Sequence, residues 1–398
     1  MRTRQAQTVR VALTAAFLGA FCARPALADD GADAEKPAKV TYKDGAATLE
    51  SEHLQISLTN RIQFRLTDEI PDDSVQLSGT AGPGDSRASW RVRRAKTRLS
   101  GWFWRPEVRF ELQLSWAGPE AGASAQTALE DAQITWDVSK KRTFEISFGQ
   151  FKVPLGRQEM TSSGRMQFVD RDIFSFEFTR GRDLGAQVEG VLAKGRLSYM
   201  AGVFNGNAAA RLGNDNSKFQ YNTRVMFEPW GAVGYSESDF ESKDKPLLAV
   251  AGQFEQNDQA YTSSVGDNLK TKVWGADVVF KYKGFSAFAE YLARDRRPQP
   301  AGSIDPSQAP FSTVAFHSNG WHGQAGYFLK RDTLEVALRY ATYDPSDRVS
   351  NNDRTEVGGA LNYFVNKHML KVQADFRQVK NSDRTKTKEL RVQSQVMF

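Results

Sequence analysis

The densest ionisable cluster in the sequence is Trp90-Arg-Val-Arg-Arg-Ala-Lys-Thr-Arg-Leu99, which contains no acid. On a strand, successive side chains point to opposite faces. Ala95, Thr97 and Leu99 then share one face, and Arg94, Lys96 and Arg98 share the other. A ladder of cations along a wet pore wall attracts anions and lowers the barrier to their entry. Arg93 and Arg94 are adjacent, so both reach one face only if a β-bulge re-aims one of them. Upstream, Arg61 and Arg65 share a strand face as well. A second reading of the same cations is neutralisation of Glu111, Glu130, Asp131 and Glu159 across a lumen, since ion pairs in wet channels are common. Residue types alone leave both readings open.

A second constellation follows Gly149-Gln-Phe-Lys-Val-Pro-Leu-Gly156. Phe144, Ile146 and Phe148 alternate with Thr143, Glu145 and Ser147, and the strand then stops at Pro154 and Gly156. There a ladder donor is lost and unusual dihedrals become available. Beyond it Arg157, Arg165, Arg171, Arg180 and Arg182 mix with Phe168, Phe174, Phe176 and Phe178 without alternation. Long insertions between strands are usually functional. Residues 154–183 are therefore expected to fold into a barrel lumen and narrow it; an ordinary surface loop is the bland alternative.

Catalytic readings are poor. The histidines, His53, His317, His322 and His368, lie in separate segments without metal-ligand spacing. No G-x-S-x-G elbow occurs, and Gly231 to Gly234 lacks the Lys-Ser/Thr of a phosphate loop. No enzyme activity, metal or cofactor is expected.

Met1 to Ala28 reads as a secretory leader, with Arg2, Arg4 and Arg10 before the apolar Val11 to Phe21 and small residues at Ala26 and Ala28. Cys22, the only cysteine, falls within it, so the mature chain is expected to lack a thiol. The bulky Phe21 before Cys22 disfavours a lipid anchor. The chain carries 53 Lys+Arg against 47 Asp+Glu, and removing Arg2, Arg4, Arg10 and Arg24 leaves 49 against 47, a net of +2. That near-neutral balance argues against a nucleic-acid partner. Residues 29–52 read as a mobile N-terminal arm.

From Leu54 onward the period is two. Leu54, Ile56, Leu58, Ile62, Phe64 and Leu66 alternate with polar neighbours, as in a strand with oil on one face and water on the other. The pattern recurs to Phe398, and counting weaker members gives about sixteen strands, an even number as bacterial barrels require. Short connections alternate with long ones at 67–88, 117–126, 154–183, 207–218, 257–269, 295–318 and 344–353, the outer-membrane arrangement. The connection 229–245 should be short and is not. Trp102, Trp104, Trp116, Trp136, Trp230, Trp321, Tyr340 and Phe398 suit interfacial girdles. Residues 53–398 thus read as all-β, a transmembrane antiparallel barrel in outer-membrane lipid. A soluble β-sandwich would use shorter strands.

The sequence also resembles the phosphate-selective porin O and P family of Gram-negative outer membranes. Matching segments include Asn60-Arg61-Ile62-Gln63, Val92-Arg93-Arg94-Ala95, Leu129-Glu-Asp-Ala132 and Gly149 to Gly156. Others are Thr161-Ser162-Ser163, Val169-Asp-Arg171, Gly202-Val-Phe-Asn-Gly206 and Gly359-Ala-Leu-Asn-Tyr363, with the terminal Phe398. The resemblance implies a sixteen-stranded homotrimeric barrel with an inward third loop. It implies pore-lining roles for Arg61, Arg93 and Arg94, eyelet roles for Ser162, Ser163 and Arg171, and an acidic neighbour at Glu130. The family's eyelet lysine before Thr-Ser-Ser is not matched, and Glu159 lies two residues before Thr161. A carboxylate there repels a phosphate dianion, with Arg157 and Arg165 as compensating charges. The expected function is an outer-membrane porin for small hydrophilic solutes that leans toward anions and phosphate. The alternatives are a non-selective general diffusion porin and a barrel with an enzymatic or adhesive surface.

Overall fold

The computed structural model describes residues 38–117, 128–208, 213–214, 216–241, 244–260, 268–299 and 315–398. The leader with Cys22, the first part of the expected arm, and parts of the 117–126, 207–218, 257–269 and 295–318 connections lie outside the described residues. The first strands are β1 (Lys39–Lys43), β2 (Ala46–Glu50), β3 (Leu54–Pro71), β4 (Arg87–Phe103), β5 (Arg105–Ser115) and β6 (Ala128–Asp137). Next come β7 (Glu145–Lys152), β8 (Arg182–Leu192), β9 (Leu197–Phe204), β10 (Gln220–Phe227), β11 (Leu247–Ala260) and β12 (Asn268–Tyr282). The last are β13 (Phe285–Gln299), β14 (Phe316–Lys330), β15 (Leu334–Asp344), β16 (Arg354–Asn366), β17 (Leu370–Lys380) and β18 (Lys386–Met397). From β3 to β18 each pairs antiparallel with the next, and β18 closes on β3 from Thr387↔Pro71 to Met397↔Arg61. The result is a sixteen-strand barrel, in which closure leaves no unpaired edge in hydrocarbon.

Period-two patterning sets which face is which. On β10, Gln220, Asn222, Arg224 and Met226 are buried inside, while Tyr221, Val225 and Phe227 are about half exposed outside. The same apolar exterior runs around the wall, and an exposed apolar surface of that extent marks contact with lipid. Trp104, Trp116, Trp136, Trp230, Trp321, Tyr340 and Phe398 are exposed. Trp102 is a correction to the expected girdle: it pairs with Gln55 and shares the inward parity of Arg98 and Ser100.

Residues 39–50 form a hairpin, where a mobile arm was expected. β3 runs eighteen residues and β18 only twelve, so the lower edge of β3 outruns its barrel neighbour. β2 pairs with that edge from Ala46↔Thr59 to Glu50↔Gln55, supplying partners to an otherwise open ladder.

One rim carries tight connections, with positive φ at Trp104, Lys283 and Gly284. The rule breaks at the β10–β11 connection. On the opposite rim, residues 153–181 turn inward as the sequence led one to expect. They also contain two short helices without a strong sequence signal, α1 (Arg157–Met160) and α2 (Ile173–Phe178). Gly156, at φ 80°, makes the turn into α1, a conformation that costs glycine little. Asp172 caps α2 through Ser175 N, 2.7 Å away. Phe174 and Phe178 of α2 pack against Val153, Leu155, Val273 and Leu292 inside the barrel, each aromatic worth about 2 kcal/mol of burial. These side chains form an apolar cluster within an interior that is otherwise lined by buried polar and charged groups such as Lys281, Glu335 and Arg339.

Candidate functional site

The bulge needed at Arg93 and Arg94 is present. The β3–β4 register slips between Gln63↔Arg94 and Phe64↔Val92, leaving Arg93 as the extra residue. Both guanidinium groups turn inward and meet Asp170 of the constriction loop, at 3.2 Å from Arg93 and 2.7 Å from Arg94. Arg65 reaches the same carboxylate at 2.8 Å. Burial alone would raise the Asp170 pKa, but Arg65, Arg94, Arg93 and Arg391 outweigh it and hold the carboxyl well below the usual range. Next to it Asp375 accepts from Nε and Nη2 of Arg391, at 2.7 and 2.8 Å, and from Val169 N. Arg93 and Arg94 therefore fasten the loop to the wall; the resemblance implied pore-lining roles for them, but neither lines the cavity on the other side of the loop.

On the other side of the loop lies a cavity of about 320 Å³ between the loop and the β3–β9 wall. Its cationic lining is Arg61, Lys96, Arg98, Lys152, Arg171 and Arg182, against Glu111, Asp131 and Glu189. Arg61 donates to both serine hydroxyls, Ser162 and Ser163, at 3.0 Å. Gly164 sits against this guanidinium, and a Cβ there would collide with it. Because the colliding atoms end a flexible side chain, Gly164→Ala should leave barrel stability within about 1 kcal/mol. It should nonetheless move Arg61 and alter single-channel conductance; identical records for mutant and wild type would contradict this placement.

The remaining predicted residues divide between neutralisation across the lumen and the loop's own framework. Lys96 pairs with Glu130 at 2.7 Å, Arg98 with Glu111 at 2.5 Å and Arg182 with Asp131 at 2.8 Å. Glu159 turns to Arg171, 3.1 Å away, and is not among the lining side chains. Arg171 also donates to the carbonyls of Gln158, Glu159 and Thr161. Arg157 is buried away from the passage, donating to Gly234 O and Met226 Sδ with its guanidinium 4.9 Å from the Tyr235 ring. The Arg165 side chain is exposed, and its backbone carbonyl accepts from Glu237 N.

Sequence reasoning passed over two groups of weight. Lys152 directs its ammonium at the carbonyls of Glu159, Met160 and Thr161, between 2.6 and 3.2 Å. It thereby puts a lysine at the entrance to Thr161-Ser162-Ser163, where the linear pattern has Glu159. Its place beside Pro154 hid it, because only the fold brings strand end and loop tip together. Asp170 stood inside the matched Val169-Asp-Arg171, but a lone carboxylate has no spacing to mark it.

A family model described as phosphate-selective porin O and P matches residues 64–398. Porin O of Pseudomonas aeruginosa is 23% identical over 357 residues, covering 81% of this chain and 76% of that protein. Among solved structures, the anion-selective porin from Comamonas acidovorans superposes with a TM-score of 0.60 at 12% identity, over 86% of this chain and 99% of that one. The outer membrane channel DcaP of Acinetobacter baumannii superposes with a TM-score of 0.55 at 13% identity, over 88% and 99%. The two structural likenesses bear on the fold.

Proposed function

The chain belongs to the phosphate-selective porin O and P family, and from that premise we propose that its passage admits small anions in preference to cations. As a member it is a bacterial outer-membrane channel for passive diffusion of small hydrophilic solutes. One observation carries the preference: the six Lys and Arg side chains facing the cavity outnumber the three Asp and Glu there. Cationic excess in a constriction concentrates anions and excludes cations. The ion pairs among these residues keep the excess modest, which supports a general diffusion porin as the second reading.

Inorganic phosphate is a fitting member of the preferred class. Arg61 with the Ser162 and Ser163 hydroxyls offers a charged, hydrogen-bonding station, and guanidinium groups suit oxyanions. The Glu159 carboxylate, directed at Arg171, bears less on the passage than the linear sequence implied. By family likeness we propose a homotrimer, which cross-linking in detergent tests by the size of the largest product. The functional test is chloride conductance in a planar bilayer as millimolar phosphate is added. Conductance should fall; an unchanged conductance leaves the general diffusion reading in its place.

A further inference from the structure

The β10–β11 connection lies on the short-turn rim, which faces the periplasm in outer-membrane barrels. Of its described residues, 228–246 without 242–243, the stretch 233–240 enters the barrel. Val233, Glu237, Ser238, Asp239 and Phe240 are all buried. At the base, Phe240 sits among Phe328, Phe364 and His368, with ring centroids 5.0–5.1 Å from each. Asp239 accepts from Gly284 N at 2.8 Å, and Ser238 donates to Glu335 at 2.9 Å. These contacts fix the turn to β14–β16 and to the β16–β17 and β12–β13 turns.

Its upper end meets the constriction loop. Glu237 accepts from the Gln158 side chain at 3.2 Å and from Gln167 N at 2.7 Å, and its own N–H donates to Arg165 O at 3.1 Å. The same carboxylate accepts from Gln324 of β14 at 2.9 Å, so one side chain joins loop, turn and wall. Around this junction and toward the base the inward faces are sealed: Lys281, His322, Glu335, Asn362 and Lys371 are all at 0% exposure, and Lys281 donates to Val233 O of the turn. On the β5–β9 side, by contrast, Gln113, Gln133 and Glu189 remain partly exposed around the cavity.

We propose that this turn is a second constriction element, acting from the periplasmic side. It seats the constriction loop from below and closes the β10–β18 part of the lumen, so that solutes are confined to the β3–β9 side. Glu237 is the positioning residue that couples the two. The inference rests on the chain being a channel, but not on its preferring anions.

The test is single-channel conductance and neutral-polymer exclusion of the full-length protein in planar bilayers. Nine of the sixteen barrel strands border the sealed part, so opening it should raise conductance about twofold, since flux follows open cross-section. Glu237→Ala should show that rise and admit larger polymers, while Glu237→Gln, which keeps an acceptor, stays nearer to wild type. Should Glu237→Ala fail to assemble, Phe240→Leu loosens the base while keeping an apolar side chain, and should shift both readings the same way. Wild-type conductance and polymer exclusion in an assembled variant would overturn the proposal. The sign of the wild-type reversal potential is read separately, so failure of the anion reading is not confused with failure of this one.

Discussion

Asp170→Asn should release the constriction loop. The carboxylate sits among Arg65, Arg93 and Arg94 at 2.7–3.2 Å, and removing one partner of a buried ionic cluster costs about 3–5 kcal/mol, because the charges left behind stay desolvated. The asparagine amide adds donors where only guanidinium donors face it. The barrel ladders do not pass through Asp170, so the wall should still form. Conductance should rise and become noisy as the loop leaves its seat, and a quiet, wild-type record would contradict the anchoring role. The pH dependence has a definite sign. A carboxyl with a depressed pKa contributes stability above its unfolded value, and loses it only as pH falls through the folded one. Since Asp170 is held well below the ordinary range, this seat should persist when pH is lowered from about 7 to about 4.

The second large effect separates two arginines four residues apart. Arg98 faces the cavity with about half its side chain exposed, whereas Arg94 is buried on Asp170. Arg98→Glu sets a second carboxylate beside Glu111 and changes the lining from six cations and three acids to five and four. The exposed Arg98–Glu111 pair contributes at most about 1 kcal/mol, so folding should survive. A charge this close to a passing ion is worth roughly 1–4 kcal/mol between the bulk-water and near-surface limits, enough to shift anion-to-cation permeability several-fold. Arg94→Glu should instead fail at assembly or loop seating, since it adds a carboxylate to Asp170 in a buried site. Reversal potentials and heat-modifiable gel mobility for the two variants read these outcomes. Equal effects on both quantities would mean that the passage does not separate Arg98 from Arg94.

Much of this architecture is written in period-two patterning, because a wall between lipid and a polar interior forces alternation residue by residue. Tyr221, Val225 and Phe227 against Asn222 and Arg224 needed no further information. The bulge at Arg93 was foreseeable because two adjacent arginines cannot otherwise share a face. Other features depend on distant partners. Val273 and Leu292 point inward because Phe174 and Phe178 arrive from the loop to cover them, which no local pattern records. β1 and β2 are five residues each in a polar stretch, and they are strands only because β3 has an open lower edge. The length of the 229–245 connection was a signal in itself, a long segment on the rim of short turns. What it reaches, Gln158 and Gln167 at the loop, required the fold.

The proposed route for solutes runs between the constriction loop and a β3–β9 wall whose facing charges are mostly positive. Its most direct test is the zero-current potential of the purified wild-type channel in a planar bilayer under a steep KCl gradient. The lining predicts a potential of the sign set by chloride; a potential of the sign set by potassium would contradict it.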